Sequence, residues 1–209
     1  MYIWSAQIQA KPGRGGETGA KVAEIRDFLV SVLGRPAWAW AVVAGAPTGS
    51  FMLSSRLDGM ADLVDAQMQL AGDADYQSLA ATVSDLWAAP AEILMNRVVA
   101  TTGELSEPKP LIQATRATIA MGHVTEATAR ATEILEHVTK VTGHGGMLAT
   151  STAGAMFQVT WIIGYDSAAD LDTASEAAAA DADYAAMVDK AGGLFVDGSA
   201  ERFIMMQMP

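Results

Sequence analysis

Two carboxylate pairs stand first among the residues able to do chemistry. Asp73 and Asp75 flank a single alanine ahead of Tyr76, and Asp181 and Asp183 stand the same way ahead of Tyr184, 108 positions later. An Asp-x-Asp pair is raw material for a cation site, but alone it supplies neither the ligand count nor the geometry that a hard cation demands. At a helix start the same carboxylates accept unpaired backbone N–H groups and face the positive end of the helix dipole. Capping is their expected work, and no metal site is predicted. Tyr76 and Tyr184 then point back toward the gap between helix and sheet, where a ring packs and a hydroxyl can meet a ligand.

Arg116 is the harder residue to place. It falls midway along a strand, with Ala114 and Thr118 on its face. A guanidinium there must be paired or must meet an anion, because leaving it unpaired costs several kcal/mol. Glu201 or Glu104 is the expected structural partner; an acidic or phenolate ligand is the functional alternative. Arg97 and Arg202, on the strands that close the two halves, are weaker cases of the same kind. His123, His137 and His144 do not cluster. His144, among Gly143, Gly145 and Gly146, is the best placed to act as a mobile acid–base group. The candidates for catalysis are therefore Arg116, His144, Tyr76 and Tyr184. Trp38, Trp161, Arg97 and Arg202 are the candidates for ligand contact, the tryptophans as walls of an apolar pocket. The glycine-rich stretch 13–19 lies where a phosphate loop belongs but matches neither phosphate-loop pattern, and reads as a flexible connection.

Composition narrows the classes. The chain has 209 residues, 51% of them hydrophobic and 18% charged, with no cysteine and a formal net charge of −11. That balance is globular, and the lack of cysteine excludes disulfides and thiolate chemistry. The acidity and the scattered lysines and arginines exclude nucleic acid as a partner. No apolar run reaches the roughly 18 residues of a membrane span, and a cytoplasmic protein is expected.

The elements that position these residues follow from periodicity. Residues 2–10 alternate, as a strand does, and residues 11–19 read as a loop. Residues 20–33 carry apolar positions at helical spacing up to Gly34 and Pro36. Strands at 37–44 and 51–56 form a hairpin, helices follow at 58–71 and from about 75 to 87, and a strand at 93–100 ends the run. Residues 111–121, 125–141, 147–152, 156–164, 167–180, 183–191 and 202–208 repeat that order. The predicted domains are 1–100 and 111–209, each β-α-β-β-α-β, joined by a linker at 101–110. The fold class is α+β, two tandem ferredoxin-like repeats.

Strands with apolar residues on both faces need cover on both. Ile93, Met95 and Val99 oppose Leu94 and Val98, and Phe157, Val159, Trp161 and Ile163 oppose Met156 and Ile162. Helices cover one face, and a sister sheet is the economical cover for the other, at about 25 cal/mol per Å² of apolar area buried. This pattern resembles the dimeric α+β barrel superfamily, which includes the antibiotic-biosynthesis monooxygenase, NIPSNAP-like and EthD-like families. The resemblance is carried by Lys11-Pro12-Gly13, by Asp62-Leu63, by the segment from Leu70 to Gln77, and by Asp170-Leu171 and Asp181 to Tyr184. It implies a fused version of a pair that is usually formed by two chains.

The resemblance supports two readings of function. One is a small-molecule-binding protein of the monooxygenase-like type, acting on an apolar or aromatic substrate, with no cofactor and no haem expected. The other is a non-catalytic structural or assembly module with a solid core. Further association of the fused unit into a homo-oligomer is expected of either.

Overall fold

The computed structural model describes residues 1–103 and 107–209. Its elements run β1 (Tyr2–Gln9), α1 (Gly15–Leu33), β2 (Ala37–Ala44), β3 (Ser50–Leu57), α2 (Met60–Ala71), α3 (Ala74–Ala81) and β4 (Glu92–Thr102). They continue with β5 (Leu111–Thr118), α4 (Val124–Thr142), β6 (Gly146–Ala153), β7 (Gln158–Tyr165), α5 (Ala168–Ala180), α6 (Ala182–Lys190) and β8 (Glu201–Gln207). Hydrogen-bonded neighbours follow the order β1-β3-β2-β8-β5-β7-β6-β4 in a closed barrel. The class is α+β. Among the described residues no helix is long and apolar enough to cross a membrane.

The chain divides into two compact units. The first is Met1–Arg97 with Thr152–Gly154 and Met206–Pro209; the second is Val98–Ser151 with Ala155–Met205. In the first, β1 lies between β3 and β4, with Ala6 opposite both Leu53 and Ile93. One face of β1, β2 and β3 presents Ala6, Ile8, Ala37, Ala39 and Leu53 to Val22, Ile25 and Leu29 of α1 and Leu70 of α2. In the second, β5 pairs with β7 in antiparallel register, Leu111 opposite Tyr165 and Arg116 opposite Thr160. Its core joins Ala117, Leu148, Val159 and Ile163 of the strands to Ala127, Ala131 and Leu135 of α4.

Both long helices stop at a left-handed glycine, Gly34 at φ 62° and Gly143 at φ 76°, the conformation in which a missing Cβ is an advantage. Asp73 accepts the backbone N–H of Tyr76 at 2.8 Å and Asp181 that of Tyr184 at 2.6 Å. The first aspartate of each Asp-x-Asp pair thus caps its helix, and no cluster of metal-ligating side chains occurs among the described residues.

Several boundaries depart from the sequence reading, and two of the departures involve glycines. Helix α1 begins at Gly15, inside the stretch expected to be a loop. Gly19 is buried in it, and a Cβ there would lie 3.2 Å from Phe51 Cε1. This glycine serves close packing of helix on strand and breaks nothing. Strand β7 runs one residue past Gly164 to Tyr165. Gly164 was the expected stop, yet it sits within the ladder, where a Cβ would lie 2.7 Å from Lys109 Cγ.

Candidate functional site

Along β5 the side chains alternate between faces. Gln113, Thr115 and Ala117 turn to the helices, so Arg116 turns away from them. The same alternation on β7 sends Trp161, Ile163 and Tyr165 to the helix side. Helix α4 supplies Ile134, Leu135, Val138 and Thr142, helix α5 Ala174, Ser175 and Ala178, and helix α6 Tyr184 and Val188. These faces do not meet. They border a cavity of about 590 Å³ within the second unit, lined also by Phe195, the segment 196–200 and Arg202. That volume lies in the range of small-molecule sites.

The cause is side-chain length. At the same places in the first unit's elements stand longer groups: Trp4 where β5 has Gln113, Leu33 where α4 has Thr142, and Leu70 where α5 has Ala178. Leu70 is 3% exposed, and Trp4, Phe28, Leu33 and Tyr76 pack on the same cluster. The space left between Trp4, Leu33 and Leu70 is about 30 Å³, no more than a water molecule needs.

Three polar tips converge on the cavity. Tyr165 is 3% exposed, and burial raises its phenol above the ordinary tyrosine range; the charge of Arg202 opposes that shift and Tyr184 adds to it. The phenol therefore stays protonated near neutral pH and is a hydrogen-bond donor. Neither the Tyr165 nor the Tyr184 hydroxyl has a hydrogen-bond partner among the described residues. Arg202 donates from Nε to Thr115 Oγ1 at 3.3 Å. Trp161 closes the α4 side, its Nε1–H donating to the carbonyl of Ala131 at 2.9 Å and its ring 5.9 Å from that of Phe195.

Of the residues singled out in the sequence, Tyr184, Trp161 and Arg202 line this cavity. His144 lies just behind it, its ring 4.8 Å from the Tyr165 ring at an interplanar angle of 55°. The glycines around it serve close approach: a Cβ on Gly145 would lie 2.6 Å from the Thr102 carbonyl oxygen, and one on Gly146 2.8 Å from that of Ile162. Gly146 N–H also donates to Thr102 Oγ1 at 3.1 Å. The segment expected to be mobile is packed.

The others lie elsewhere. Arg116 Nε meets Glu201 Oε2 at 2.6 Å, and its guanidinium stacks 4.7 Å over Phe203. Glu104, the other partner considered, lies outside the described residues. Tyr76 packs on Phe28, ring centroids 5.9 Å apart, and Trp38 takes Arg56 over its ring at 5.3 Å. Arg97, opposite Tyr2, is exposed. Tyr165 escaped the sequence reading altogether, although it continues the alternation of Trp161 and Ile163.

A second polar contact fixes α6 to α4. His137 Nε2 hydrogen-bonds Asp181 Oδ1 at 2.8 Å, and chiefly this bond, with the backbone N–H of Tyr184, holds the Asp181 carboxyl below its ordinary value. The same helix position in the first unit is Phe28, which makes the apolar contact to Tyr76 instead.

No protein-family model matches the chain, and no curated protein is similar to it in sequence. Solved structures are similar in fold. A provisionally assigned monooxygenase from Fusobacterium nucleatum superposes with a TM-score of 0.73 over 100% of this chain and 92% of its own, at 6% identity. An anthrone oxidase-like protein gives 0.71 over 100% and 91%, at 12% identity. A heme-degrading enzyme from Listeria monocytogenes gives 0.55 over 99% of both chains, at 8% identity.

The last of these corrects one expectation. The lack of a recognisable motif led to the expectation of no cofactor and no haem, yet a protein of this same fold degrades heme. Haem is held by one or two axial side chains and a shaped cavity, neither of which needs a linear motif. Among the residues lining the cavity, the phenols of Tyr165 and Tyr184 are the groups with iron-ligating chemistry, and Arg202 is the cation that could face a propionate. The chain has the fold of the ferredoxin-like, dimeric α+β barrel proteins related to the antibiotic-biosynthesis monooxygenases.

Proposed function

We propose that this chain is a small-molecule-binding protein of the monooxygenase-like type, and that its ligand is an apolar or aromatic molecule held in the second unit. The observation that carries this reading is the cavity of about 590 Å³ between sheet and helices, walled by Trp161, Phe195, Ile134 and Val138. Aromatic walls favour a flat ligand, since ring edges and faces stack at little geometric cost. Tyr184 and Tyr165 orient that ligand by donating hydrogen bonds, and His144 stands behind Tyr165 to keep its ring in place. Neutral donors buried beside the ligand stabilise negative charge as it develops on a ligand oxygen, which is what deprotonation or oxygenation of an aromatic hydroxyl would require.

The two units then divide the work. The element order β-α-β-β-α-α-β, present twice, supports a tandem repeat, with domains 1–100 and 111–209 on either side of a linker at 101–110. The first copy, packed by Trp4, Leu33 and Leu70, is the structural half; the second keeps the site. Self-association of the whole chain also belongs to the proposal, since Met60, Val64 and Met68 stand exposed at four-residue spacing on α2.

The test is saturable binding of 2-naphthol, one per chain, followed by calorimetry. The variant Ala178→Leu, which lengthens a cavity-wall side chain, should abolish it while circular dichroism stays unchanged. Failure of the folded native chain to bind 2-naphthol and its carboxylate and amide analogues alike, or unaltered binding in A178L, would overturn the proposal. The absorbance spectrum and native mass of the purified protein add the identity of any retained ligand or heme, and the oligomeric state.

A further inference from the structure

We propose that the cavity of the second unit selects ligands bearing an acidic group, a carboxylate or a phenolate on the apolar body, and that Arg202 receives the charge. This rests on the reading of the cavity as a ligand site and adds the class of ligand to it. Two arginines on neighbouring strands, β5 and β8, provide the contrast. Arg116, on the face away from the helices, is neutralised by Glu201 at 2.6 Å. Arg202, on the helix face, has no carboxylate within ion-pair distance among the described residues, and its recorded polar contact is the 3.3 Å hydrogen bond from Nε to Thr115. A guanidinium offers five N–H donors in a planar fork that matches two oxygens of one acid. Four donors of Arg202 are thus left to solvent or to a ligand.

Arg202 is also the one cation among the residues that line the cavity. Asp197, the one carboxylate there, lies beyond ion-pair distance from it. Tyr165 and Tyr184 line the same space, and each hydroxyl is a neutral donor with no recorded partner among the described residues. A cation and two neutral donors beside aromatic walls make a receptor for an oxyanion attached to a flat apolar body. A neutral amide of the same shape would leave the guanidinium desolvated without a counter-charge, which costs affinity.

The experiment compares 2-naphthoate with 2-naphthamide, nearly the same in shape, on the native chain and on Arg202→Gln and Arg202→Lys. The native chain should bind the naphthoate about tenfold or more tighter than the amide, as a charge-assisted hydrogen bond predicts. R202Q should erase that preference and leave the amide affinity within about twofold; R202K should retain part of it. A third probe, 2-naphthol, separates the two acidic functions. Affinity that rises as its hydroxyl ionises, and that is lost in R202Q, assigns a phenolate; affinity flat with pH beside tight naphthoate binding assigns a carboxylate. Equal affinity of the native chain for naphthoate and amide would overturn the acid preference while leaving the cavity reading intact. Failure of the folded native chain to bind any of the three would overturn the cavity reading itself.

Discussion

His137 of α4 and Asp181 at the start of α6 share a hydrogen bond of 2.8 Å, from Nε2 to Oδ1, and the same carboxylate oxygen accepts the backbone N–H of Tyr184. One contact therefore joins two helices and orients the tyrosine that lines the cavity. The Asp181 carboxyl is held below its ordinary value, first by His137 and then by the Tyr184 N–H. A carboxyl depressed in the folded state contributes stability above its unfolded value, about 3.9. That contribution is lost as pH falls from there through the lower folded value. In His137→Phe the Asp181 midpoint, read by carbon-detected NMR, should move up toward the ordinary value. The loss of stability relative to the native chain should be present at pH 6 and vanish below the folded midpoint; a difference that persists there would show that the bond contributes nothing.

Side-chain length decides where the cavity lies, and substitutions at matching places test that. Ala178→Leu adds about three carbons against Ile134, Val138 and Tyr184. At about 0.8 kcal/mol per methylene buried, it should raise stability by about 1–2 kcal/mol. Leu70→Ala, in the packed unit, should lower stability by about 2–5 kcal/mol, because Leu70 is 3% exposed and its neighbours close only partly over the gap. Denaturant unfolding measures both. A loss in A178L equal to that in L70A would mean that the cavity wall cannot accept the added volume.

The same contrast explains how much was legible in the sequence. Alternation along 2–10 and helical spacing along 20–33 are local, so the elements could be read directly. Capping by Asp73 and Asp181 was equally local. The cavity was not, because it depends on three shortened side chains, Gln113, Thr142 and Ala178, that come from separate elements and face one another only after folding. Arg116 drew attention because a charge within a strand is rare, yet Glu201, 85 positions away, satisfies it. Arg202, on the closing strand, stands beside Arg97 as a candidate ligand contact, and only the fold separates the two by placing Arg202 at the cavity. Tyr165 was passed over because Gly164 reads as a stop, and a glycine required by a neighbour's side chain looks no different in sequence from one required by a turn.

Glycines here separate by their surroundings. A Cβ at Gly146 would lie 2.8 Å from the Ile162 carbonyl oxygen and 3.0 Å from Ile163 Cγ1, and backbone cannot step aside. Gly146→Ala should cost about 1–3 kcal/mol. Gly16 is exposed in the first turn of α1, with nothing within 4 Å of its added Cβ. Gly16→Ala should stabilise by up to about 1 kcal/mol, since a helical glycine loses more backbone freedom on folding than alanine does. Thermal unfolding should move in opposite directions for the two variants.

Tyr165 carries the clearest electrostatic signature of the site, and it can be read without any ligand. Burial raises its phenol and Arg202 holds the rise in check. A group whose folded value is raised contributes stability that is complete below the unfolded value, about 10 for tyrosine. That contribution is lost as pH climbs from there through the folded value. The absorbance of phenolate formation in the native chain, with Tyr165→Phe as the reference, should show one late-titrating tyrosine. Arg202→Gln removes the opposing charge, so this step should move to still higher pH, and the alkaline loss of stability should spread over a wider range. His144→Ala removes the ring 4.8 Å away and opens Tyr165 to water, so in that variant the step should fall back toward the ordinary range. If R202Q left the late step where it is, the guanidinium would be too far from the phenol to share an oxyanion with it.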